Sequence, residues 1–271
     1  MRAKKSLGQH FLKSERALMA IVGAGRVSAE DFVLEIGPGT GALTEKLLAT
    51  SCQVLAVEKD DNLFDTLKIK FQEEIAGRKL ILMHDDILKF NLSKLEVRNY
   101  KLVANIPYNI TGAILKKFLE ADNQPSMMVL LVQKEVAQRI VARDKKESIL
   151  SISVKAYGVP RYIETVKAGS FVPMPKVDSA IIAIENISKT FFQKMAVDVD
   201  TECQQMEKRF FEIVRAGFKS KRKKLSSNLG TVLGKDKILE AFKKLELDKN
   251  VRAENISIEI WKKISLFLIE T

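Results

Sequence analysis

Between residues 32 and 132, short apolar runs rich in Val, Ile and Leu alternate with stretches whose apolar residues return every three or four positions. A short run buried on both faces reads as a strand of a parallel sheet, and the longer period reads as an amphipathic helix. The pattern predicts strands at Phe32–Ile36, Gln53–Val57, Lys79–Met83, Lys101–Ala104 and Met127–Val132. Helical segments fall between them, around 42–49, 61–76, 111–121 and 134–143. The result is an α/β fold with a mostly parallel sheet, covered by helices and joined by right-handed crossovers.

After residue 148 the pattern changes. A helical stretch runs to about Tyr157, followed by a strand at Arg161–Val166, a loop containing FVPMPKVD and a strand at Ser179–Ile184. Pro173 and Pro175 keep the loop out of a helix. Beyond Glu185 the β-branched runs disappear, and Gln204–Phe218, Asp236–Leu245 and Ile256–Leu268 carry helical spacing. These features divide the chain into a domain over 1–190 and a small helical domain over 191–271.

Composition narrows the class. Hydrophobic residues make up 46% and charged residues 29% of the 271 positions. No apolar run approaches the ~18 residues that span a bilayer, so a soluble protein with no membrane partner is expected. The basic start, MRAKKSLGQHFLK, lacks the apolar core and cleavage site of a secretory signal. Cys52 and Cys203 form no CxxC pattern, and His10 and His84 are too few and too distant for a metal cluster. A reducing cytoplasm and no metal follow. The net charge of +11 points to a polyanionic partner.

Two stretches carry chemistry. Glu35-Ile-Gly37-Pro38-Gly39-Thr40-Gly41 follows the first long strand and opens a helix, where glycines let the backbone turn and approach a ligand. Glu58 ends the next strand, 21 residues after Gly37, a spacing at which a carboxylate accepts the hydroxyls of a ribose. Asp86 follows the third strand, within reach of an adenine amine at the same sheet edge, or simply caps a helix. The loop reads GxGxG without the third glycine of GxGxxG, which favours an adenosine cofactor other than a dinucleotide.

The second stretch is Asn105-Ile106-Pro107-Tyr108, at the carboxyl end of the fourth strand, the edge where open α/β sheets bind ligands. An amide oxygen, two main-chain carbonyls and an aromatic face suit a planar base bearing an amine, taken out of its helix.

GQHFL at 8–12, EIGPGTG at 35–41, NIPY at 105–108 and FVPMPKVDSA at 171–180 together resemble the ribosomal RNA adenine dimethyltransferases. The likeness runs from about Lys4 to Leu229. It implies a Rossmann-like S-adenosylmethionine-dependent methyltransferase sheet with a small C-terminal helical domain that binds RNA. It also implies that His10, Leu12, Gly37, Gly39, Glu58, Asp86 and Asn105 line the S-adenosyl-L-methionine site. Many relatives have Asn where this chain has His10. By the same resemblance Asn105, Ile106, Pro107 and Tyr108 face the target adenine, and Phe171 closes over it opposite Tyr108; a phenylalanine buried in the core is the plainer alternative.

Residues 219–224 hold five basic side chains, Lys219, Lys221, Arg222, Lys223 and Lys224, just after Arg215. With Arg2, Lys4 and Lys5 they form the expected contacts to RNA phosphates. The tail around them resembles the small-subunit branch of the family, whose substrate would be ribosomal RNA in a pre-ribosomal particle, bound by a monomer. Three other readings stay open: a large-subunit enzyme of the antibiotic-resistance branch, a non-catalytic assembly factor on the same fold, and a nucleotide-dependent oxidoreductase.

Overall fold

The computed structural model describes residues 9–92, 95, 97–195 and 201–270, with the side chains of 201, 202 and 270 left aside. Nine strands are β1 (Phe11–Leu12), β2 (Phe32–Ile36), β3 (Gln53–Glu58), β4 (Leu80–His84), β5 (Lys101–Asn105), β6 (Met127–Gln133), β7 (Val159–Val166), β8 (Phe171–Val172) and β9 (Ser179–Glu185). Seven of them form one sheet in the order β4-β3-β2-β5-β6-β9-β7. The five strands of the repeating sequence pattern are mutually parallel, whereas β9 runs antiparallel to both β6 and β7. The reversal has a simple cause. The link between β7 and β9 contains no long helix, and without such a crossover only antiparallel neighbours can be joined.

The apolar runs become strands because both faces of the sheet are covered: the first six residues of β6 are buried. On one face lies the helix Glu15–Ala24, which the strand pattern did not announce. Ser14 caps it by accepting from the Ala17 N–H, and Ala17, Leu18, Ile21 and Val22 are its buried residues. β1 and β8 make a separate two-stranded pair in which Leu12 is opposite Phe171, and both side chains are buried in the core under the sheet.

The chain forms two compact units. One contains the sheet and comprises residues up to Ala137 together with Val159–Ile187; the other comprises Gln138–Gly158 and the residues from Ser188 onward. The sequence pattern assigned 138–158 to the first domain by position in the chain. Aromatic packing groups it with the second. The Tyr157 ring lies 5.3 Å from Phe192 and 6.0 Å from Phe211, and its hydroxyl donates to Glu207 Oε1 at 2.6 Å. Four longer helices complete this unit: Thr201–Gly217, Leu225–Leu233, Lys235–Lys244 and Ile258–Glu270. The second of these was hidden in the sequence by its Ser, Asn, Gly and Thr content, which is weak in helix propensity. It is held by burial of Leu225, Asn228 and Leu229 along one face. Among the described residues no helix is long and apolar enough to cross a membrane.

Candidate active site

Within the first unit, the carboxyl ends of β2, β3, β4 and β5 open onto a cavity of about 240 Å³. This edge is where the strand order reverses direction around β2 and β5, the usual ligand position in such sheets. After β2 the backbone turns through Gly37, Gly39 and Gly41, all at positive φ (+63°, +62° and +79°). A β-carbon on Gly37 would meet open space, so the main chain itself can approach a ligand there.

Glu58 closes the loop from behind. One carboxylate oxygen accepts from the Gly39 N–H at 3.0 Å, and the other accepts from the N–H groups of Lys59 (2.9 Å) and Asp60 (2.8 Å). Burial pushes its carboxyl above the ordinary range, and the three N–H donors oppose that shift. Beneath the loop, Glu35 is 1% exposed and accepts from the Thr44 hydroxyl at 2.7 Å. Burial raises its pKa to about 8, with the nearby Glu58 charge adding to the effect. Asp86 lies across the cavity. Its carboxylate takes the Lys59 ammonium at 2.9 Å and the Leu88 N–H at 3.0 Å, and the lysine holds its pKa low. Asp86 therefore caps its turn and lines the cavity at once.

Asn105, the last residue of β5, donates from Nδ2 to the His10 carbonyl at 3.3 Å. That bond leaves Oδ1 as the acceptor the amide can offer a ligand. Pro107 begins a tight turn, its carbonyl accepting from the Ile110 N–H at 3.2 Å. The turn presents the half-buried Tyr108, whose hydroxyl lies 2.6 Å from Ser179 Oγ on β9. Burial raises the phenol's pKa, so it stays neutral at ordinary pH. The His10 ring stacks on Tyr108 with centroids 5.9 Å apart, and His10 Nδ1 lies 2.7 Å from the Pro173 carbonyl.

The cavity thus gathers His10, Leu12, Gly37, Gly39, Glu58, Asp86, Asn105, Ile106, Pro107 and Tyr108. Phe171 is not among them. It is 2% exposed, opposite Leu12 in the β1–β8 pair, and its ring belongs to the core. Arg2, Lys4 and Lys5 lie outside the described residues. Arg215, Lys219, Lys221, Arg222, Lys223 and Lys224 are all exposed on the second unit. The last five follow the helix that ends at Gly217, and Asn228 Nδ2 holds their loop by donating to the carbonyls of Gly217 (2.6 Å) and Ser220 (3.0 Å).

Three contributors went unnoticed in the sequence. Glu35 was visible as the one charged residue in the strand FVLEI, and Ser179 stood inside a quoted motif, but Lys59 carried no signal.

A mostly parallel sheet with a glycine turn after β2, a carboxylate at the end of β3 and an amide at the end of β5 defines a Rossmann-like methyltransferase. Comparison with known proteins gives the family. The model of the ribosomal RNA adenine dimethylase family matches residues 1–270, and the chain belongs to that family. A ribosomal RNA small subunit methyltransferase A from Dehalococcoides mccartyi is 43% identical over 270 residues, covering 98% of this chain and 88% of the relative. One of the same name from a Nostoc species is 36% identical over 282 residues, covering 99% and 98%. Among solved structures, a dimethyladenosine transferase from Plasmodium falciparum superposes with a TM-score of 0.78 at 26% identity, over 94% of this chain and 96% of that one. The 23S rRNA methyltransferase ErmE shares the fold, with a TM-score of 0.74 at 22% identity over 96% and 99%.

Enzymes of this family use S-adenosylmethionine. The cavity fits that molecule in its donor and acceptor set: a buried carboxylate, a second carboxylate at the rim and a glycine backbone open to close approach.

Proposed function

We infer that this protein methylates the exocyclic amines of two adjacent adenines in a loop of small-subunit ribosomal RNA, giving N6,N6-dimethyladenine. The observation that carries this reading is the orientation of Asn105. With Nδ2 committed to the His10 carbonyl, Oδ1 is the acceptor aimed at an incoming amine.

Each residue then has a part. Glu58 holds the ribose hydroxyls of S-adenosylmethionine, Asp86 its adenine amine, and His10, Leu12, Gly37 and Gly39 the rest of the molecule. When bound, the cofactor supplies a sulfonium methyl already activated for transfer. The protein therefore needs no strong base. Asn105 Oδ1 accepts one hydrogen of the target amine. A main-chain carbonyl accepts the other, and because the Pro107 carbonyl already closes the turn onto Ile110, we assign this to Ile106. Drawing both hydrogens toward these acceptors frees the nitrogen lone pair from the base and directs it at the methyl. The same two oxygens stabilise the positive charge that develops on nitrogen, and the Tyr108 ring adds a cation–π contribution. The proton departs to water. After one transfer the amine keeps a hydrogen and a lone pair, so the same acceptors can orient it again.

The small-subunit assignment is supported by the names of the relatives above 35% identity. The exposed basic loop at 219–224 supplies phosphate contacts, joined by Arg215 and by Arg2, Lys4 and Lys5. We place the protein, as a monomer, on a pre-ribosomal particle in the cytoplasm, where undermethylated RNA is accessible. The deciding experiment offers labelled cofactor to undermethylated small and large subunits in parallel, followed by mass spectrometry of the digested RNA. Doubly methylated adjacent adenines in the small subunit are expected. Labelling confined to the large subunit would overturn the branch, and binding without turnover would make the protein an assembly factor.

A further inference from the structure

Five cations within six positions ordinarily make a stretch of chain that repels itself and stays unfixed. In the second unit Lys219, Lys221, Arg222, Lys223 and Lys224 are all exposed, yet the backbone that carries them is held at both ends. At the front, the helix Thr201–Gly217 ends against Trp261. The Phe218 ring stacks on the Trp261 ring with centroids 5.6 Å apart, and a β-carbon on Gly217 would overlap Trp261 Cη2. At the back, the Leu225 N–H donates to the Val251 carbonyl at 2.8 Å as the helix Leu225–Leu233 begins. Between these ends one side chain reaches the turn itself. Asn228 is 3% exposed, and its Nδ2 donates to both Gly217 O (2.6 Å) and Ser220 O (3.0 Å).

We propose that Asn228 is a positioning residue for RNA binding: its amide presets the backbone of the 219–224 loop, so that the cations meet phosphates without first ordering the chain. The proposal rests on the phosphate-contact reading of this loop given above and names the residue that makes the contact efficient.

The geometry supports it in three ways. The last carbonyls of a helix have no partner within the helix, and nearby lysines bind them readily. Gly217 O is such a carbonyl, and the five cations follow it within seven residues. With the Asn228 amide on Gly217 O and Ser220 O, a neutral group serves those carbonyls and the cations stay available to an outside anion. None of the five has an ion-pair partner among the described residues. Second, the amide fixes backbone and leaves the charged side chains alone. The Lys223 N–H closes a turn on Ser220 O at 3.1 Å, the same oxygen that Asn228 holds, so one side chain sets the curvature of the loop. Ordering a residue at the moment of binding weakens association by the freedom it loses. A loop already curved leaves only side-chain adjustment, and long lysines can follow phosphates whatever the base sequence. Third, the buried neighbours of Asn228 on its helix are Leu225 and Leu229. An amide among them is satisfied by the two carbonyls it meets.

The test compares Asn228→Leu with the wild type, both as the full chain. Leucine keeps the volume and the helix and removes only the donors. Affinity for a small-subunit ribosomal RNA fragment that the wild type methylates should fall by roughly 5- to 30-fold, the equivalent of ordering one further residue. The log–log salt slope should not change, since the same phosphates are neutralised in the complex. KM for the RNA should rise by the same factor, with kcat and S-adenosylmethionine affinity unchanged. Trypsin, which cuts after Lys and Arg, should attack 219–224 about tenfold faster in the variant, as a loop that opens more often requires. Leu229→Ala controls for stability alone. It removes a buried side chain of the same helix without touching the carbonyls, and should lower the urea midpoint while RNA affinity and loop cleavage stay at wild-type values. Asn228→Ala repeats the comparison if leucine disturbs the packing. Wild-type RNA affinity in Asn228→Leu, unchanged cleavage of its loop, or an equal loss of affinity in Leu229→Ala would each overturn the proposal. Failure of the underlying reading looks different: neutralising the loop's cations would leave RNA affinity and salt slope as they are in the wild type.

Discussion

The two halves of the cavity are built by different means. On the side proposed for the cofactor, Glu58 is fixed by the backbone N–H groups of Gly39, Lys59 and Asp60, and the carboxylates are buried or half-buried. On the side proposed for the target base, Tyr108 is fixed by a single side-chain tether to Ser179 and the His10 ring stacked on it by another to Pro173, both from the region beyond the first five long strands. The first half is an extension of the sheet's own hydrogen bonding. The second is an arrangement of side chains laid across it. A cofactor that is the same in every turnover suits the first construction, whereas a base that must enter and leave suits the second.

The sharpest way to test that contrast is to remove Asn105, where the halves meet. Asn105→Ala should lower the single-turnover rate by roughly 10²- to 10³-fold at saturating cofactor and RNA, the loss typical of one preorganised acceptor or donor. RNA affinity should change little. A wild-type rate in this variant would reduce Asn105 to a turn residue and remove the join between the halves.

Glu58→Ala probes the cofactor half alone. Calorimetry should show S-adenosylmethionine binding weakened by roughly 10- to 100-fold, from the loss of charged hydrogen bonds to the ribose. Unchanged affinity with the fold intact would move the ribose elsewhere and leave Glu58 as a brace for the glycine turn.

Glu35 offers a stability measurement within the same half. Its carboxyl titrates near 8 in the folded chain against an ordinary 4.5, so the folded state holds a proton that the unfolded state releases between those values. Stability from this group is full below pH 4.5 and falls as pH rises through 8, by at most about 1.4 kcal/mol per pH unit. Urea titrations from pH 5 to 9 should show that decline in wild type and a flatter profile in Glu35→Gln. Equal slopes would mean that Glu35 is ionised when folded.

The basic loop belongs to neither half and serves as the control. Neutralising Lys221, Arg222, Lys223 and Lys224 should lower RNA affinity and reduce the log–log salt slope by roughly 0.7 to 0.9 for each phosphate that is no longer neutralised. Cofactor affinity should be untouched. A constant slope would make the loop a solvated surface.

The smallest effect is expected at Ser179. Ser179→Ala removes one hydrogen bond to the Tyr108 hydroxyl, a cost of about 1 kcal/mol in stability. Methyl transfer should fall several-fold while cofactor binding holds. A variant that loses cofactor binding instead would show that the two constructions are not separable.

Sequence reading reached these halves unequally. The glycine turn, Glu58 and Asp86 were legible because each follows a strand whose apolar run announces it, and strand ends on one sheet edge converge by topology. Asn105 and Tyr108 were legible for the same reason. His10 against Tyr108, Tyr108 against Ser179 and Leu12 opposite Phe171 were not, since they join positions many residues apart through packing that leaves no period in the chain. The reversed direction of β9 escaped because an apolar run does not reveal its direction. The grouping of 138–158 with the helical unit depends on Tyr157 meeting Phe192 and Phe211, again an encounter without local trace.

The pairing of β1 with β8 also orders events during synthesis. Leu12 and Phe171 are among the most distant partners in the first unit, and closing so long a loop is slow compared with forming the adjacent parallel strands. A nascent chain emerging from the ribosome can align the ends of β2 to β5 well before residue 171 exists. The segment carrying His10 can take its place only after β8 has appeared. Truncated or partly translated chains should therefore gain the strand ends that line the cavity first and the segment that carries His10 last.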